Sequence, residues 1–318
     1  MQIIVPASSA NLGPGFDSIG VALSLLLTVD VLGPTTSWQV DHQLADLPHD
    51  ESNLIVQTAR QLVPDLTPHH LAVQSDIPVA HGLGSSSSAI VAGIELANQL
   101  GALHLSNEQK VAFACQLEGH PDNVAPTILG GLVIGTEVNG GFAAVKAPLP
   151  PYLFAAYIPA YNVKTKEARA ALPTTLPFKE AVAASATANT LVAALFTGDY
   201  QLVGQLIEQD RFHEQARAHL VPELTQLREL GHRCGALATY LSGAGPTVMT
   251  LLKEADFPAF QAAITQAGLP GRLVPLTPHP TGVTVSYRSE CKKGGWEKTV
   301  FSPSLLLYLR ILDRKCGK

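Results

Sequence analysis

Apolar residues fall in short blocks whose spacing predicts strands and helices in mixed order. Ile3 to Val5, Val21 to Leu32, Leu71 to Ile77 and Leu132 to Val138 are apolar runs that predict strands. Between the last two the period changes. Ile90, Ile94 and Ala97 form one stripe and predict a helix from about Ser86 to Leu100. A second helix is predicted from after Ser106, which pairs with Gln109 in a capping-box pattern, to about Glu118. Lys146 to Pro151 (KAPLPP) carries three prolines in six residues, which forbids regular structure and splits the chain near its middle. Beyond it the pattern predicts strands at Leu153 to Ile158, Ala238 to Ser242 and Val248 to Leu252. Helical segments are predicted between Phe178 and Leu230 and near Phe257 to Ala267, with short strands at Leu273 and Val283. Elements interspersed in this way, without an internal repeat, make an α+β protein of two layers.

Length and composition sharpen that picture. The chain has 318 residues, 46% apolar and 15% charged, enough to fill two compact globular domains. Its formal charge is -5, but positions 286 to 318 hold eight Lys or Arg against three Asp or Glu. Residues 1 to 285 therefore hold 13 basic and 23 acidic residues, a net of -10. So acidic a body excludes nucleic acid as partner, and any phosphate it binds must be held mainly by backbone. Cys115, Cys234, Cys291 and Cys316 show neither a zinc nor a disulfide spacing, which points to a reducing, cytoplasmic compartment. No Lys or Arg precedes Arg60, so no signal peptide is expected, and Val21 to Leu32 is too short to span a bilayer.

Four segments carry candidate chemistry. Pro78 to Ser88 (PVAHGLGSSSS) follows a predicted strand and opens a predicted helix. Gly82 and Gly84 let backbone approach a ligand, and Ser85 to Ser88 put free N–H groups and hydroxyls at the helix start, which makes either an anion cradle or a Ser-rich N-cap loop. The segment is neither GxxxxGK[ST], nor GxGxxG, nor GxSxG. Glu118 lies on the buried stripe of its helix with Val111, Ala114 and Cys115, so it is either held by a cation such as Mg2+ or frays into water. Gly119 to Pro126 (GHPDNVAP) follows as a turn-rich loop. In it Asp122 and Asn123 could touch a substrate, and His120 reads as a turn or packing residue. Pro6 to Gly20 (PASSANLGPGFDSIG) is too small and polar to build core and must approach something closely, with Asn11 and Asp17 as its best hydrogen-bonding groups, or else be a structural Ω-loop. Leu241 to Thr247 (LSGAGPT) is a tight connection between strands. Arg169 in TKEAR and Arg217 in DRFHEQAR could each fork onto a carboxylate.

Taken together the four segments resemble the GHMP kinases, over roughly residues 1 to 285. PVAHGLGSSSS is similar to the superfamily's phosphate loop and LSGAGPT to its third motif. PASSANLGPGFDSIG and EGHPDNVAP look like the homoserine kinase branch. The resemblance implies a left-handed βαβ domain of ribosomal-protein type over 1–150, a ferredoxin-like domain over 151–285, and an atypical basic tail over 286–318. It implies ATP, bound by Pro78, Val79, Ala80, His81, Gly82, Leu83, Gly84, Ser85, Ser86, Ser87 and Ser88, and Mg2+ held by Ser86 and Glu118. The acceptor it implies is L-homoserine, phosphorylated on its hydroxyl to O-phospho-L-homoserine in threonine biosynthesis. Asn11 and Asp17 match positions holding the amino end, Arg169 and Arg217 those holding the carboxylate, Asn123 the one near the hydroxyl, and Thr165 another in the site. With asparagine at 123, direct attack is expected, the proton passing to phosphate. No nucleic-acid or membrane partner is expected, and a homodimer is allowed. A GHMP kinase for another alcohol, or a non-catalytic nucleotide or metabolite sensor, is the alternative. The tail, ending LLLYLRIL, is expected to have no catalytic role.

Overall fold

The computed structural model describes residues 1–44 and 46–287. The expectations for the tail lie outside the described residues. In the first half, β1 (Gln2–Ala10) and β2 (Ile19–Pro34) form a long antiparallel pair, followed by β3 (Gln39–Asp41), α1 (Leu54–Leu62) and β4 (His69–Ser75). Helices α2 (Ser85–Leu100), α3 (Asn107–Glu118) and α4 (Val124–Leu129) come next, then the hairpin of β5 (Leu132–Val138) and β6 (Gly141–Ala147). In the second half β7 (Leu153–Ile158) leads to α5 (Thr165–Ala170), α6 (Phe178–Thr197), α7 (Tyr200–Ile207), α8 (Glu214–Arg217) and α9 (Glu223–Arg233). The chain ends with β8 (Ala238–Leu241), β9 (Val248–Leu252), α10 (Phe257–Gln266), β10 (Arg272–Leu276) and β11 (Thr284–Ser286).

Two sheets result. The first runs β11-β1-β2-β4-β3, with β5 on the far half of β2 and β6 beyond it; the second is antiparallel, in the order β10-β7-β9-β8. The change of sheet falls between β6 and β7, at the proline-rich stretch. The last strand then returns to the first sheet, Ile3 opposite Val285. One apolar core joins the layers, from Ile3, Val21 and Ile94 to Phe154, Leu191 and Met249.

Local chemistry sets the helix ends that matter. Ser106 accepts from the Gln109 backbone and the Gln109 side chain returns to Ser106 N–H, the capping box expected for α3, and Gly119 closes that helix in the left-handed region at φ 89°. Helix α1 was not foreseen. Asn53 caps it through Ile55 N–H, and it packs on α2 at Gly93, where a Cβ would stand 2.4 Å from the Ile55 carbonyl. The Pro6 to Gly20 expectation also needs correction: β1 continues through Pro6 to Ala10 over a bulge at Pro6/Ala7, so the true loop is 11–18. Ala7, Ala10 and Leu12 lie in the core. Small residues predict a loop from sequence, whereas between a sheet and α2 small is what fits.

Candidate active site

A cleft of about 440 Å³ opens between the two sheets, along the start of α2. Gly84 precedes that helix at φ 72° and no side chain caps it, so its first-turn N–H groups are left for a ligand. The glycines are there for space as well as torsion. A Cβ on Gly84 would meet Ser8 Oγ at 2.1 Å, and one on Gly82, at φ 73°, would meet the Ser242 carbonyl at 2.4 Å. The loop between β8 and β9 buttresses this turn: Ser242 Oγ donates to the Gly82 carbonyl at 2.6 Å, and Thr247 N–H to that of His81 at 3.3 Å. Ser9 ties the same serine to β1 at 2.7 Å.

Past the helix start the cleft becomes charged. Glu118, half-buried at the end of α3, accepts from Ser87 Oγ at 2.9 Å and forms no ion pair with a described residue. Asn123 Oδ1 accepts from Ser8 Oγ at 3.0 Å, which fixes the amide at the cleft wall. Asp122 is buried and hydrogen-bonded to His120. Burial opposes charging of that imidazole, but the carboxylate outweighs it and raises the His120 pKa above its ordinary value. Asp17, His120 and Asp122 bring their ligand atoms within 4.8 Å of one another.

Two arginines of the cleft lining, Arg169 and Arg217, face the loop 11–18. Arg169 forks onto Asp17 through two bonds of 2.9 Å, Nη1 to Oδ2 and Nη2 to Oδ1. That fork raises the Arg169 pKa. Arg217 is different. It is 2% exposed and forms no ion pair with any described residue; its donors go to the carbonyls of Ala168 and Gly243, both at 3.0 Å, and to His213 Nδ1. Burial, helped by the nearby Arg169 charge, pulls its pKa down to about 10, so it keeps its proton at neutral pH. Phe16 lies under both guanidinium groups, 5.7 Å from Arg169 and 5.4 Å from Arg217.

Models of the GHMP kinase N-terminal domain match residues 53–131, and of the GHMP kinase C-terminal domain residues 191–269. A homoserine kinase of Lactobacillus acidophilus is 57% identical over 285 residues, 90% of this chain and 99% of that one. The chain belongs to the GHMP kinases. A homoserine kinase of Streptococcus thermophilus is 52% identical, over 90% of this chain and all of its own. The crystal structure of a homoserine kinase from Cytophaga hutchinsonii superposes with a TM-score of 0.78 at 26% identity, covering 89% of this chain and 96% of that one. The α+β fold expected of the family is thereby borne out.

Within this GHMP kinase, Asn11, Asp17, Val79, Ala80, His81, Gly82, Gly84, Ser85, Ser86, Ser87, Glu118, Asn123, Thr165, Arg169 and Arg217 all line the one cleft. Pro78, Leu83 and Ser88, expected at the nucleotide, do not. Leu83 is buried in the core, and Ser88 Oγ is spent on the Pro6 and Gly84 carbonyls. Successive side chains rotate around a helix axis, so the first turn sends Ser85, Ser86 and Ser87 to the cleft and Ser88 away from it. The hydroxyl that touches Glu118 is that of Ser87, and Ser86, expected with Glu118 at a magnesium ion, lines the same cleft. The amide of Asn11, read as a substrate group, also holds its own loop, accepting from Asp17 N–H and donating to the Gly243 carbonyl. Two features escaped sequence reading. An apolar lobe of Leu44, Leu47, Pro48, Leu54 and Val73 sits beside the helix start, and Phe16 was passed over although it stands next to Asp17. An aromatic in a run of glycines, with nothing local to pack on, was the available signal for Phe16.

Proposed function

We propose that this enzyme transfers the terminal phosphate of ATP to the hydroxyl of L-homoserine, forming O-phospho-L-homoserine on the way to threonine. The observation that carries the reading is the joining, in one cleft, of an uncapped helix start to a buried guanidinium that forms no ion pair with any described residue. The first needs an anion such as phosphate, and the second needs an anion at the other end of a small molecule. The α-carboxylate of an amino acid meets the second need. Family relatives bearing the homoserine kinase name, at 57% and 52% identity over nearly their whole length, support the same acceptor.

In this reading the N–H groups of Ser85 to Ser87 cradle the phosphates, and the lobe of Leu44, Leu47 and Pro48 takes the base. Asp17 receives the ammonium, with one lone pair of Asn11 beside it. Arg169 and Arg217 receive the carboxylate, and Thr165 closes that wall. Asn123 orients the acceptor hydroxyl. Its amide cannot take a proton, so the proton leaves to the phosphate oxygens as the new bond forms. Glu118 with the hydroxyls of Ser86 and Ser87 makes an all-oxygen donor set facing the cleft, and its unpaired carboxylate suits Mg2+. When bound, the ion neutralises charge on the transferring phosphates. Among the described residues no helix is long and apolar enough to cross a membrane. A cytoplasmic location fits the unpaired Cys115 and Cys234.

The test is ADP release from ATP with homoserine, serine, threonine, mevalonate or galactose as acceptor. Release dependent on homoserine and slow with the others is expected. A rate with homoserine no higher than with no acceptor overturns the proposal.

A further inference from the structure

Arg217 has to be held in place without being neutralised, because an internal carboxylate would compete with the incoming one. His213 meets both conditions. Its Nε2 lies 3.1 Å from the Gly13 carbonyl, and its Nδ1 lies 3.3 Å from Arg217 Nη1. A carbonyl only accepts, so Nε2 carries the proton and Nδ1 turns a lone pair to the guanidinium. The Asp210 carboxylate stands 3.7 Å from Nε2, too far for a hydrogen bond, and it already accepts the backbone N–H groups of His213 and Glu214. Phe16 stacks on the imidazole at 5.3 Å, so ring, guanidinium and acceptor loop form one block. The imidazole is wholly buried, and burial pushes its pKa down against the opposing pull of Asp210 and Glu214, with the Arg217 charge acting in the same sense as burial.

We propose that His213 is a positioning residue for the acceptor: by accepting from Arg217 and donating to Gly13 it fastens the guanidinium to the loop 11–18 and leaves its charge free for an α-carboxylate. The proposal rests on the acceptor site described under the proposed function.

The variant His213→Phe keeps a ring against Phe16 and removes both polar contacts. Full-length enzyme is assayed with homoserine and with 3-aminopropan-1-ol, the same molecule lacking the carboxylate. Loss of one hydrogen bond to a charged group predicts a homoserine KM raised about tenfold, an ATP KM changed by less than about twofold, and a preference for homoserine over the amino alcohol reduced about tenfold. Arg217→Leu should lose the same preference, and the double variant should lose little more, since both act through one contact. A His213→Phe enzyme with the wild-type preference, beside an Arg217→Leu enzyme that has lost it, overturns the positioning role while sparing the acceptor site. An Arg217→Leu enzyme with the wild-type preference overturns the acceptor site itself, and His213 with it. Should His213→Phe not fold, His213→Gln takes its place with the same two outcomes, because its amide sits at the Nε2 end and leaves Arg217 without that acceptor.

Discussion

In the proposed binding mode, substrate entry breaks the Asp17–Arg169 fork, and that fixes what Asp17→Asn should do. The two side chains are 33% and 40% exposed, so the fork is worth about 0.2 to 1 kcal/mol, the range for solvent-screened pairs. A zwitterion replaces it with two new charge-assisted contacts, ammonium on Asp17 and carboxylate on Arg169. Each such bond contributes about 1.5 to 3 kcal/mol. Asparagine removes the ammonium contact and also the fork that had to be broken, so the net loss is about 0.5 to 2.8 kcal/mol, or a roughly two- to hundredfold rise in homoserine KM. The check is initial-rate ADP release with each substrate varied at saturating levels of the other. The ATP KM should stay within about twofold, and melting should fall by no more than roughly 2 °C, since the shift per kcal/mol shrinks as chains lengthen. A second readout isolates the cause. Against 4-hydroxybutanoate, homoserine without its amine, the variant should be no worse than wild type, because Arg169 is released and no ammonium is missed. An unchanged homoserine KM, or equal rises for homoserine and ATP, refutes the reasoning.

Arg217→Leu should raise the homoserine KM far more than the ATP KM, by about ten- to 150-fold if one charge-assisted contact is lost; equal effects in the same rate assay would defeat the assignment. Asn123→Ala should slow turnover while calorimetry still shows ATP binding, and loss of ATP binding would mean that Asn123 belongs to the nucleotide site. Gly84→Ala puts a Cβ 2.1 Å from Ser8 Oγ at φ 72°, so it should lower the melting temperature and abolish ATP binding, and an unchanged ATP Kd by calorimetry would count against the cradle.

Periodicity and capping made much of the fold legible. Helices α2 and α3 appeared with nearly their observed ends because Ile90, Ile94 and Ala97 form a stripe and Ser106 with Gln109 a box. Helix α1 is harder to read because its nine residues give only about two and a half turns of pattern, although Asn53 before Ile55, Val56 and Ala59 is a usable signal. The strand character of Pro6 to Ala10 was hidden by residue size, since pairing with β2 rather than side-chain bulk makes that segment extended. Within the site, the glycines and serines of the phosphate turn were readable because their chemistry is local. The carbonyl partners of Arg217 were not, since Ala168 and Gly243 reach it from two distant stretches of chain, whereas His213, four residues before it in DRFHEQAR, lay within reach of sequence reading.

That difference follows from where each half of the reaction is bound. The phosphate cradle is one turn and one helix start, so a single segment of sequence can specify it. The proposed acceptor pocket is a seam: Asp17 comes from the loop between β1 and β2, Arg169 and Arg217 from α5 and α8, and Gly243 from the loop that also buttresses Gly82. A carboxylate bound by Arg217 therefore pulls on the same loop that supports the phosphate turn. The two subsites share Ser242 and Gly243, adjacent residues whose backbone cannot move independently. Under the proposed function, a substitution at that seam should alter homoserine recognition before it alters the grip on ATP, whose proposed donors lie within one helical turn.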